Sequence, residues 1–165
     1  MSGLSDFVFA NSNQSYFGNA SPFGDPRDAY INGINKTMNK AASTGQGQTW
    51  QSSNTLVGGF GNDYITAYNW TSNEVDILVG GKGSDTFVAG DRYGVHYLNA
   101  AVAIVADYNF YEGDVVQLSS RGSGGYTYRQ GNFGLGSSAL DTTIYYNNDA
   151  IMVLSDTTKF NWRMI

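Results

Sequence analysis

Two ten-residue blocks constrain this chain more than any other feature. Leu56-Val57-Gly58-Gly59-Phe60-Gly61-Asn62-Asp63-Tyr64-Ile65 is echoed by Leu78-Val79-Gly80-Gly81-Lys82-Gly83-Ser84-Asp85-Thr86-Phe87. Both carry G-G-x-G-x-D-x-U, with U a large apolar residue, at an offset of 22 residues. Fainter copies flank them. Residues 49–57 keep Asn54 at the Asp position and Leu56 at the apolar one, and residues 71–79 keep Asp76 and Leu78. The array reads 49–57, 58–66, an insertion at 67–70, 71–79 and 80–88. A nine-residue unit in this arrangement predicts a solenoid of two coils, each made of two half-coils.

The spacing has a chemical consequence. Glycines let the backbone take positive φ, which turns successive carbonyl oxygens inward, and the Asp adds a hard negative oxygen. Calcium takes six to eight such ligands and tolerates irregular geometry. One loop supplies about half a set, so two loops on the same side of the solenoid are needed. Half-coils alternate sides, which pairs loop 58–63 with loop 80–85, and loop 49–54 with loop 71–76. The first pair is complete. Its expected ligands are the carboxylates of Asp63 and Asp85 and the carbonyls of Gly58, Phe60, Gly61, Gly80, Lys82 and Gly83. The second pair lacks the glycines, leaving Asp76 a weaker candidate. Leu56, Ile65, Leu78 and Phe87 should point inward and stack as a ladder.

Composition agrees with a β-rich, metal-stapled chain. The 165 residues suit a single domain: an N-terminal segment and capping helix at 1–48, repeats at 49–90 and antiparallel strands at 91–165. The 21 glycines against 2 prolines indicate tight turns in ordered structure, and 12 tyrosines and 9 phenylalanines favour strands. With no cysteine, disulfides and thiolate sites are excluded, and a metal ion is the remaining staple. A net charge of -5 argues against nucleic acid and anionic membranes and leaves cations as partners. The longest apolar run, 100–106, is too short to span a membrane, and no basic-then-apolar leader is visible at the start.

Elsewhere, 6–10 reads as a short strand. Residues 26–41 read as a helix, with Asp25 as N-cap, Pro26 at its first position and Ile31, Ile34, Met38 and Ala41 at helical spacing. Beyond Val88, strands are expected at 102–106, 115–118, 142–146 and 151–154, the last two joined through Asn147-Asn148-Asp149. Phe7, Phe9, Tyr16, Phe17 and Phe23 lack the periodicity to build a core, so the N-terminal segment is expected to contact a neighbouring copy or the end of the roll.

These residues resemble the hemolysin-type (RTX) calcium-binding repeat proteins, in particular the short secreted RTX-like proteins of cyanobacteria. Ile104-Val105-Ala106-Asp107-Tyr108-Asn109, followed by Glu112-Gly113-Asp114-Val115-Val116-Gln117-Leu118, is similar to the family's element after the repeats. Ile144-Tyr145-Tyr146-Asn147-Asn148-Asp149 is similar to its closing hairpin. The likeness covers about residues 54–156. It implies a mainly all-β fold, a short parallel calcium-dependent β-roll capped by antiparallel strands. It also implies type I secretion through an uncleaved C-terminal signal. Asp107 and Asp114 match positions that hold a further ion in related rolls; the competing reading makes them turn residues beside a strand.

Other constellations are weaker. His96 is the only histidine, without metal-site or triad spacing, so an enzyme is not expected. Trp50, Trp70 and Trp162 suit packing better than a sugar platform. The expected function is a secreted, structural, self-assembling calcium-binding protein of a cell surface or matrix, as a homo-oligomer or filament. A glycan-binding module, or the secretion module of an exported protein, is the alternative.

Overall fold

The computed structural model describes residues 7–10, 15–17, 30–34, 55–68 and 74–165. The chain winds between two sheets. The first contains β1 (Phe7–Ala10), β3 (Tyr30–Ile34), β5 (Tyr64–Tyr68), β7 (Thr86–Val88), β11 (Val115–Leu118) and β15 (Asn161–Met164), in that spatial order. Each neighbouring pair in it is parallel. The second runs β12 (Tyr126–Gly131), β13 (Asp141–Tyr146), β14 (Asp149–Leu154), β10 (Val102–Val105), β6 (Val75–Lys82), β4 (Thr55–Phe60) and β2 (Ser15–Phe17). Here β14 through β2 are parallel, while β12, β13 and β14 pair antiparallel. Between β7 and β10 lies a small hairpin of β8 (Gly90–Asp91) and β9 (Gly94–Val95).

This is a β-roll with an antiparallel cap, and its register is the one the repeats demand. Leu56 pairs with Leu78, and Ile65 with Phe87, as the 22-residue offset requires. All four are fully buried, so the expected ladder exists. It also runs beyond the repeats: Phe87 pairs with Val116, Leu78 with Val105 and Val105 with Leu154. Parallel stacking needs only an apolar residue at each inward position, and Val116, Val105 and Leu154 meet that need without any glycine motif. Alternation along β6 is plain up to Gly81, with Asp76, Leu78 and Gly80 buried and Val75, Ile77, Val79 and Gly81 more open.

The helix expected at 26–41 is not supported. Tyr30–Ile34 is instead strand β3, lying between β1 and β5 with Ile31 in register with Val8 and Ile65. Pairing with two flanking strands outweighs a helical pattern that Gly33 already weakens. Residues 26–29 and 35–41 lie outside the described residues. The expected strand at 6–10 corresponds to β1. Asn147 and Asn148, both at positive φ, form the two-residue turn between β13 and β14. Among the described residues, no helix is long and apolar enough to cross a membrane.

Candidate metal centre

The two complete glycine loops lie one above the other. Gly59 is in register with Gly81 and Phe60 with Lys82, and the Gly61 N–H donates to the Lys82 carbonyl at 2.9 Å. Glycine is required here for two different reasons. Gly81 and Gly83 hold φ of +99° and +136°, where an L side chain is strained, and a Cβ on either would run into the carbonyl of Gly59 or Gly61 below. The first glycine of each block has no such φ; it is needed for proximity. A Cβ on Gly58 would stand on the Asp63 carboxylate, and one on Gly80 on the Asp85 carboxylate. Each Asp therefore folds back across its own loop into space that only glycine leaves open.

Both carboxylates are buried, at 2% exposure for Asp63 and 1% for Asp85. Asp85 Oδ1 accepts the Asp63 N–H at 2.8 Å, while Asp85 Oδ2 is buried with no hydrogen-bond partner. Burial pushes the Asp85 carboxyl up to about 7; the Asp63 amide pulls it down, and the charges of Asp114, Asp63 and Asp107 raise it further. Lys82 does not neutralise this cluster, for it is exposed and its ammonium lies 5.5 Å from the centre of the Phe60 ring. A third loop follows the pair. Asp114 Oδ1 accepts the Asp85 N–H and its Oδ2 the Asn109 N–H, both at 2.8 Å. Asp107 accepts the Gly80 N–H at 2.9 Å and the Gly81 N–H at 2.8 Å. Burial also raises the Asp114 carboxyl, against the pull of those two amides.

The structure brings together Gly58, Phe60, Gly61, Asp63, Gly80, Lys82, Gly83 and Asp85, and sets Asp107 and Asp114 on the next rung. Asp76 lies apart, fully buried on β6 opposite Ala103. Its expected companion loop, 49–54, falls outside the described residues. Two residues not singled out from sequence also lace the loops. The Ser84 N–H donates to Asn62 Oδ1 at 2.8 Å, and Ser84 Oγ donates to the Gly113 carbonyl at 2.7 Å. Their signal was present: both occupy the same x position of the repeat, 22 residues apart.

His96 is buried with Nε2 3.4 Å from Asp91 Oδ2, and burial lowers its pKa. Trp162 is half-exposed and lines a cleft of about 310 Å³ with Phe110, Tyr128, Thr158, Lys159 and Phe160. Trp50 and Trp70 lie outside the described residues.

The donors of the loop pair fit calcium. They are all oxygen, one is a buried carboxylate oxygen without a partner, and the cradle is kept open by glycine. Among the described residues, no three acidic, His or Cys side chains converge on one point, so backbone carbonyls must supply most of any ligand set. A comparison with protein families matches the RTX calcium-binding nonapeptide repeat (4 copies) at residues 51–69 and 70–91. Neither the curated proteins nor the solved structures compared with the chain give a match. RTX nonapeptide repeats bind Ca2+ and are typical of secreted proteins. With its glycine loops stacked at the spacing of those repeats, residues 51–91 of the chain form RTX-type calcium-binding repeats.

Proposed function

We propose that Asp63 and Asp85, with the carbonyls of Gly58, Phe60, Gly61, Gly80, Lys82 and Gly83, hold calcium between the two loops. The folded roll then serves as a secreted structural component that associates with copies of itself. The observation that carries the calcium reading is the buried, unbonded Oδ2 of Asp85 in a loop where glycine leaves space beside the carboxylate. Bound calcium supplies the positive charge that this carboxylate cluster lacks. Asp63 and Asp85 place their charge at the loop pair, and the glycines set the carbonyl directions. Asp107 and Asp114 act differently, as acceptors that secure the backbone of the loop before them.

The reading is structural, because the repeats that the family comparison matches are calcium-binding units. Self-association is supported by the open sheet edge at β15, because exposed edges invite pairing. Export by type I secretion accords with the RTX repeats. A glycan-binding module is a second reading, favoured by the aromatic cleft at Trp162.

Chelation tests the proposal. With calcium removed, far-UV circular dichroism should lose strand signal and the melting temperature should fall; restoring calcium should reverse both. Sedimentation in calcium should show particles larger than the 17.9 kDa chain. An unchanged spectrum and melt would overturn the calcium reading. A strictly monomeric sample would overturn the structural one.

A further inference from the structure

We infer that the free edge of β15 accepts an extended strand from the N-terminal stretch, residues 1–10, of a second copy. This rests on the self-association proposed above. Ile65, Phe87, Val116 and Trp162 occupy successive rungs of one ladder. The first three are wholly buried, yet Trp162 is 55% exposed. The next inward position repeats the step, with Leu118 at 4% and its register partner Met164 at 37%. Residues of core type, at core positions, thus stand on a rung with no further described strand beyond it.

The cap explains what shape of partner fits. Beyond the coil of β6 and β7 the first sheet adds two strands, β11 and β15, whereas the second adds four, β10, β14, β13 and β12. The first sheet therefore stops two strands short of the second. Tyr128 on β12 meets Phe160 edge-on at 5.5 Å, and both line the cleft beside Trp162. A strand added to β15 would take up the backbone groups of that edge and cover Trp162 and Met164.

Charge and pattern select the occupant. Residues 157–165 carry Lys159 and Arg163 and no acidic side chain, whereas residues 1–10 carry Asp6 and no basic side chain. Phe7-Val8-Phe9 is apolar and strand-forming; Phe7–Ala10 already pairs in parallel as β1. Asp6 stands two residues before Val8 just as Asp85 stands two before Phe87. Because donor and acceptor are different surfaces, the contact is heterologous and links copies head to tail.

The test uses the full chain with calcium, by sedimentation velocity and electron microscopy. Trp162→Asp should keep the wild-type calcium-dependent melt but remain monomeric. A synthetic peptide of residues 1–12 should shorten wild-type particles. If Trp162→Asp loses its melt, Met164→Lys on the same face is the second probe, with the same expectation. Unaltered particles in the folded variant, or indifference to the peptide, would overturn the inference and leave self-association standing. A monomeric wild type would overturn both. Retention of that monomer on immobilised glycan, lost in Trp162→Asp, would assign the cleft to sugar.

Discussion

Gly80→Ala is the sharpest probe of the loop geometry. Gly80 is not one of the positive-φ glycines, so the substitution adds contact and not backbone strain. The new methyl would stand on Asp85 Oδ2, 2.8 Å from its Cγ and 2.9 Å from the Phe87 ring. Overpacking of this kind costs roughly 1–3 kcal/mol. Moving the carboxylate aside also strips the buried Asp63 N–H of its acceptor, a further loss of about 1–3 kcal/mol. The sum, roughly 2–6 kcal/mol, corresponds to a fall of about 4–24 °C in melting temperature for a chain this size. Calcium cannot offset it, because the displaced group is a proposed ligand; the wild-type gain of about 2.7 kcal/mol at a hundredfold excess over Kd should vanish. The decisive measurement is a double-mutant cycle with Asp85→Ala, by urea unfolding with calcium and with chelator. If methyl and carboxylate compete for one space, adding Gly80→Ala to Asp85→Ala should cost less than about 1 kcal/mol, a coupling of roughly 1–3 kcal/mol. Gly94→Ala, where a Cβ meets nothing within 4 Å, is the control and should stay within about 0.5 kcal/mol. Strict additivity, or an intact calcium gain in Gly80→Ala, would refute the reasoning.

Asp63→Ala and Asp85→Ala should each abolish the calcium-dependent rise in melting temperature. Asp76→Ala, which truncates a wholly buried β6 residue, should lower the melt equally with calcium and with chelator; a lost calcium response there would show that the ligand set is misassigned. Gly81→Ala forces a side chain to φ +99° against the Gly59 carbonyl, so an unfolding midpoint within error of wild type would contradict the stacking register. Burial pushes the Tyr108 phenol, which donates to the Asp114 carbonyl at 2.6 Å, up to about 12. Its pKa is raised on folding, so its stabilising contribution is complete below pH ~10 and is lost as the pH climbs through about 12. Absorbance titration of wild type against Tyr108→Phe should show one phenol ionising late, and a difference spectrum complete by pH ~10 would count against it.

The central rungs were legible because the repeat fixes composition and register together: a one-residue slip at Leu56 or Phe87 would turn the whole inward set outward. Where the glycines stop, alternation and turn residues still gave β10, β11, β13 and β14, but other local signals misled or fell silent. Asp25-Pro26 and the spacing of Ile31 and Ile34 are good helix cues, and what makes Tyr30–Ile34 a strand is β1 and β5, far away in sequence. Strand β12 gave no alternation to read, since four of its six residues are exposed. Asp114 was singled out by resemblance and not by the repeat spacing: it follows Asp85 by 29 residues, not 22, although Asp114-Val115-Val116 repeats Asp85-Thr86-Phe87 in kind. Trp162 was weighed as an isolated aromatic, and only the sheet order places it on the ladder.

The carboxylates of the loop column all reach in one direction. Asp85 serves the amide of Asp63, Asp114 serves that of Asp85, and Asp107 serves those of Gly80 and Gly81. Each turn is thus completed by residues that come later in the chain. Neighbour-by-neighbour folding in a solenoid ordinarily has no preferred direction; here it acquires one. A chain emerging N-terminus first holds loop 80–85 with three unanswered amides until residues 107–114 have followed. Loop 58–63 in turn lacks its acceptor until Asp85 is set. Turns written early in the sequence thus depend on carboxylates written later for their backbone acceptors.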